Sequence, residues 1–171
     1  MLFGDLLPDL DTESGYRAPA VCKVVGITYR QLDHWDRTGF VSPTIRRATG
    51  SGSQRLYSFR DILVLRAVKR LIDAGVSVHQ ARNAMQQVAE YGIEELSAVT
   101  FMSDGASVYL CTSDDEVIDL INGGQGVFGI ALGRVWREVE GSLSEIPAEQ
   151  GTPQFAVVDE LAERRARRNA I

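Results

Sequence analysis

Three times along this chain a hydroxyl residue is followed three positions later by a side-chain acceptor, ahead of a run with helical apolar spacing: Thr28-x-x-Gln31, Ser58-x-x-Asp61 and Ser77-x-x-Gln80. A hydroxyl at the N-cap takes a backbone N–H of the first turn, and a Gln or Glu three residues on reaches back to the cap's own N–H. Two of the three have the usual Gln form, and Asp61 makes the third a weaker version. Gly39, Gly75 and Gly92 stand where the matching helices should stop. Pro19 suits the first turn of an earlier helix that Gly26 would end. This punctuation predicts helices over roughly 19–25, 28–38, 59–74 and 77–91.

The stretch from Phe40 to Ser58 has no such pattern. Pro43 breaks it, and Thr49-Gly50-Ser51-Gly52-Ser53 reads as a flexible tip between strand candidates Thr44–Arg47 and Gln54–Tyr57. The result is a basic β-hairpin, with Arg46 and Arg47 on one arm and Arg55 on the other. A helix-turn-helix, a basic hairpin and two more helices form the outline of a winged helix-turn-helix.

After Gly92 the texture changes. Val99–Met102 and Val108–Cys111 flank Ser103-Asp104-Gly105, a strong hairpin signal. A short helix capped by Ser113 or Asp114 carries Val117, Ile118, Leu120 and Ile121, and a strand with alternating Phe128, Ile130 and Leu132 follows. Val135, Trp136, Val139 and Leu143 fit either an extension of that strand or a helix. The expected fold class is α+β: four helices with a hairpin wing over 16–92, then a small β-β-α-β domain over 97–147. Residues 1–15 read as a flexible acidic arm, and 148–171 as a linker and charged tail.

Charge divides the chain in the same place. Residues 17–82 hold twelve cations against Asp33, Asp36, Asp61 and Asp73, a surplus of eight positive charges, which the net charge of −5 hides. Residues 83–147 hold eleven acids and only Arg134 and Arg137, a surplus of nine negative charges. A basic module beside an acidic one points to a polyanion as partner of the first alone. The chain has no signal-like N-terminus and no apolar run of membrane-spanning length, so a cytoplasmic, nucleoid-associated protein without a membrane partner is expected. Cys22 and Cys111 make neither a disulfide framework nor a metal cluster, and no cofactor is implied.

The run Gly26-Ile27-Thr28-Tyr29-Arg30-Gln31-Leu32-Asp33-His34-Trp35-Asp36-Arg37-Thr38-Gly39-Phe40-Val41 resembles the second helix of MerR-type transcription regulators and its lead into the wing. Arg55-Leu56-Tyr57-Ser58 with Asp61-Ile62 is similar to the family's wing-to-helix junction. Ala74-Gly75-Val76-Ser77-Val78-His79-Gln80-Ala81 is similar to the start of its fourth helix. These matches cover about residues 16–91, near half the chain, and the arrangement looks most like an actinobacterial branch with a small α/β C-terminal domain. Two features depart from the pattern. Asp33 stands where the family often has Arg, and the hairpin after Gly92 leaves no room for the long helix that pairs antiparallel in MerR dimers.

The resemblance implies double-stranded DNA as partner, a homodimer on an inverted repeat, an encounter with RNA polymerase, and a small-molecule effector that the sequence does not name. Tyr29 and Arg30, on the first turn of the second helix, are placed to read base edges. Arg46, Arg47, Gln54, Arg55 and Tyr57 on the wing suit phosphate and minor-groove contact. Arg37 either meets phosphate or pairs with a neighbouring acid. Leu32, Trp35, Phe40, Phe59, Ile62 and Leu71 are core by spacing. Gly123-Gly124-Gln125-Gly126-x-x-Gly129 lacks the Lys-Ser/Thr ending of a phosphate loop and reads as a turn. Arg164, Arg165, Arg167 and Arg168 read as solvated charge, with a nucleic-acid role open. No nucleophile–base or paired-carboxylate arrangement marks 97–147, so an enzyme is not expected. The competing reading is an architectural, excisionase-like winged helix with little sequence choice.

Overall fold

The computed structural model describes residues 14–47, 54–123 and 128–150. The chain opens in strand β1 (Ser14–Arg17), which leads into α1 (Ala18–Val25) with a proline in its first turn. Gly26 ends α1 at φ 80°, its N–H donating to Cys22 O, and only a residue without Cβ takes that left-handed bend without cost. Helix α2 (Tyr29–Arg37) follows at once. Strand β2 (Leu56–Tyr57) runs into α3 (Phe59–Asp73), which Gly75 at φ 97° turns into α4 (Val78–Val88).

The caps differ in detail from their sequence reading. Thr28 and Gln31 close a reciprocal box, and so do Ser58 and Asp61, despite the shorter side chain. Ser77 accepts from the Gln80 N–H, and the return bond of a box is not formed. Helix α4 ends at Val88, short of the expected 91. Gly92 instead caps the next helix, α5 (Ile93–Leu96), donating its N–H to Glu95.

Beyond α5 come β3 (Thr100–Ser103), β4 (Val108–Cys111), α6 (Asp114–Asn122), β5 (Phe128–Ala131), α7 (Leu132–Leu143) and β6 (Glu149–Gln150). The strand-or-helix ambiguity over 135–143 resolves as helix. Val135, Trp136, Val139 and Leu143 fall on one face of α7 and are all buried. An antiparallel sheet of order β4-β3-β5 is built on the β3–β4 hairpin. The carboxylate of Asp104 accepts from the N–H groups of Ala106 and Ser107 and closes the turn.

The second sheet, of order β2-β1-β6, corrects both ends of the sequence reading. Ser14 and Gly15, assigned to the arm, are strand, and so are Glu149 and Gln150, assigned to the linker. A Cβ on Gly15 would lie 3.1 Å from Ile45, Leu56 and the Tyr57 carbonyl, so the strand fits here because its side chain is absent. Arg17 Nε, 2.6 Å from the Glu149 carboxylate, ties the late strand to the early one. The rest of the arm and tail lies outside the described residues.

One apolar core runs through the molecule. Leu32, Trp35, Ile62 and Leu71 join Phe101, Ile130, Trp136 and Leu143 in a single cluster. Helix α7 lies along α3: the Phe59 and Trp136 rings are 5.0 Å apart, and Glu138 pairs with Arg70 and, at 3.9 Å, with Arg66. Phe101 and Trp136 are therefore buried inside the chain.

Candidate nucleic-acid interface

Tyr29, Asp33 and Asp36 lie on one face of α2, at the spacing that stacks side chains along a helix. The exposed residues of its first turn are Tyr29, 59% accessible, Arg30 and Gln31. The chain facing them is the foot of the expected wing. There Arg46 and Leu56 form an antiparallel bridge, each donating its N–H to the other's carbonyl. Arg46 also donates from Nε to the Gln54 carbonyl at 2.8 Å. Arg47 and Gln54 are exposed on either side. Residues 48–53, the tip of the expected hairpin, lie outside the described residues.

Arg55 connects these elements. Its Nη2 donates to Asp33 Oδ1 at 2.7 Å and its Nη1 to the Tyr29 hydroxyl at 3.3 Å. Its Nε is 2.7 Å from Asp36 Oδ2, though the N–H is not aligned on that oxygen, so this contact is an ion pair without a hydrogen bond. Only 11% of the Arg55 side chain is accessible. The hydrogen bond from Arg55, reinforced by Arg37 nearby, holds the Asp33 carboxyl below the usual carboxylate range. Asp33, the departure from the family pattern, is thus the carboxylate that fastens the wing foot to α2.

Two sequence expectations are corrected here. Tyr57 is fully buried, with its hydroxyl unpartnered and burial pushing its ionisation far up, so it is a core residue and not a surface for DNA. Arg55 has its guanidinium occupied by two carboxylates, which removes it from the free phosphate contacts. Tyr29, Arg30, Arg47 and Gln54 remain open to solvent, and Arg46 partly so. Arg37 is 76% accessible while its Nε pairs with Asp33 at 2.9 Å, so the neighbouring-acid alternative holds.

Other supports were invisible in the spacing. Asp61, read only as a cap, also accepts from the Thr44 N–H and hydroxyl, both at 2.8 Å, and anchors the incoming side of the wing foot to α3. Arg82 sits over the Phe40 ring at 5.1 Å. Arg60 donates to the carbonyls of Val88, Ala89 and Tyr91 and closes the end of α4. A polar residue seventeen or more positions from its partner leaves no local signal.

Burial raises the Asp61 carboxyl above its ordinary value, and the bonds from Thr44 and Ser58 only partly offset this. The folded protein therefore holds this proton more tightly than the unfolded chain. Its contribution is fully favourable below the unfolded value and is lost as pH rises through the folded one. Asp61→Asn keeps the acceptor and should flatten that part of the stability–pH curve in urea titrations. Asp61→Ala orphans the Thr44 and Ser58 N–H groups and should cost about 2–3 kcal/mol at neutral pH.

Among the described residues no helix is long and apolar enough to cross a membrane. The sequence profile of the MerR HTH family regulatory proteins matches residues 16–88, the span that carries α1 to α4 and the wing foot. HTH-type transcriptional regulators of Mycobacterium bovis and Mycobacterium tuberculosis are each 52% identical over 158 residues, covering 91% of this chain and 70% of theirs. The HTH-type transcriptional repressor CarH of Myxococcus xanthus is 34% identical over 83 residues, 48% of this chain and 26% of its own.

Proposed function

The chain belongs to the MerR family of helix-turn-helix transcriptional regulators, a class of DNA-binding proteins and not of enzymes, and on that premise we propose that it recognises an inverted-repeat promoter site as a homodimer. The observation that carries this reading is the exposed first turn of α2, with Tyr29 and Arg30, fastened through Arg55 to a wing foot that presents Arg46, Arg47 and Gln54. Arg30 reads a base edge in the major groove. Arg46 and Arg47 meet phosphates, and Arg37 adds charge at the far end of α2.

One such module covers a single half-site, which seldom supplies enough contacts for a unique genomic address, so two copies bind together. The α5 that follows α4 has only four residues, too short to pair in a dimer, and the acidic segment 97–147 carries the contact between copies. Placement on promoters in the nucleoid brings the dimer to RNA polymerase. Any effector acts through the same segment.

Selection of genomic fragments on the purified protein, followed by footprinting, tests the reading. A protected site with two-fold symmetry is expected. Protection by a monomer, or binding that is no tighter than to random DNA, contradicts it. Arg30→Ala should cost about 1–3 kcal/mol at the selected site and relax preference at one base-pair position. Arg47→Ala should weaken selected and random DNA alike and lower the salt slope by about 1. An equal loss on both DNAs from Arg30→Ala would remove it from the base-reading role.

A further inference from the structure

Helix α6 is the one helix of eight or more residues in which the described residues bury no side chain. Its sequence is amphipathic, yet Ile118 and Ile121 are 52% and 55% accessible. Val117 and Leu120 are only half-buried, toward β4. Beside it an open groove of about 540 Å³ is lined by Gln87, Tyr109, Cys111, Glu116, Asp119 and Leu120. Apolar surface exposed beside a groove and rimmed by polar groups suits a docking site.

The rim charge selects the occupant. Residues 83–133 contain eight acids and no Lys or Arg, and four of those acids, Asp114, Asp115, Glu116 and Asp119, belong to α6. Among the described residues none of the four forms an ion pair. Two α6 helices packed face to face would bring eight carboxylates together, so a second copy is a poor fit. A basic segment with apolar residues fits. The chain carries one outside the described residues: Phe155, Val158 and Leu161 at three-residue spacing, interspersed with Asp159, Glu160 and Glu163, and then an acid-free basic run, Arg164, Arg165, Arg167 and Arg168.

We propose that the segment 155–168 docks on α6 of its own chain, its apolar residues on Ile118 and Ile121 and its arginines against the α6 carboxylates. Reach is not limiting. The fourteen residues 151–164 span up to roughly 46–50 Å from the end of β6 when extended, against a radius of gyration of about 15–16 Å for a chain this long. Tethering supplies an effective concentration on the order of millimolar, enough to populate a contact too weak to form between separate molecules. The contact is weakened by salt, because its ion pairs are exposed.

Hydrogen exchange of the α6 amides in the full chain, without DNA, tests this independently of the promoter reading. Replacing all four arginines together (R164E, R165E, R167E, R168E) should speed α6 exchange about tenfold at low salt and leave β3 amides unchanged. Ile118→Ser with Ile121→Ser, at exposed positions that the core does not need, should reduce the salt dependence of tail proteolysis at Arg164–Arg168. Unchanged α6 exchange in the charge-reversed chain overturns the proposal. So does protection of α6 that rises with protein concentration, which would place a second copy on this face.

Discussion

Trp136→Ala should lower the stability of the whole molecule by about 3–5 kcal/mol, the usual cost of emptying a large aromatic site in a packed core. Trp136 is 6% accessible and packs on Phe59, the first residue of α3. Its loss therefore opens a cavity against the helix that carries the junction between wing foot and recognition module. The chain has two tryptophans, so the variant leaves Trp35 of α2 as sole reporter. Its fluorescence in a urea titration should show α2 melting at lower denaturant, with unchanged slope, in step with the far-ultraviolet signal. If α2 keeps its wild-type midpoint, the segment 97–147 is energetically separate from the DNA-binding helices, and the shared core contributes nothing to them.

The same reasoning changes what a shortened chain can report. Ending the protein at Gly92 removes α7, and with it Val135, Trp136, Val139 and Leu143 from a core that α3 also lines. Loss of DNA binding by such a fragment would follow from lost packing, so point variants in the full chain are the cleaner probes of both binding and assembly.

Much of this arrangement was legible in the sequence because it is written locally. Hydroxyl caps, stopping glycines and the Asp104-Gly105 turn act within four residues, and the helices they mark lie within three residues of the expected bounds. What could not be read depends on partners far apart in the chain. Strand β1 needs β2 and β6 to exist, and neither has more than two residues to announce itself. The charge surplus of residues 17–82 was real but overstated the free interface. Arg55 is held by Asp33 and Asp36, and Arg70 by Glu138, so a count of cations includes side chains that work inside the fold. Tyr57 illustrates the same limit: on a strand the face that a residue presents is decided by what packs on it, and here that is the core.

The Arg55 lock makes a prediction opposite in sign to simple electrostatics. Asp36→Asn removes a negative charge near the proposed DNA face, which by charge arguments alone should tighten binding. If Arg55 instead positions the wing foot against α2, the substitution releases its Nε and frees the foot to move away from Tyr29. DNA affinity should then fall about tenfold for selected and random sequence alike, roughly 1.4 kcal/mol. Arg55→Ala should show a loss of at least that size. The double variant should be little worse than Arg55→Ala, so the coupling energy in the cycle should approach the whole Asp36→Asn loss, about 1.4 kcal/mol. Arg55→Lys should not rescue binding, because one ammonium cannot face two carboxylates and a phenol with the geometry of a planar guanidinium. A structural role alone would also lower stability, so binding is measured well below the unfolding midpoint, with circular dichroism confirming the folded fraction. Tighter DNA binding by the Asp36→Asn protein would return Arg55 to the list of direct phosphate contacts and remove the lock from the binding mechanism.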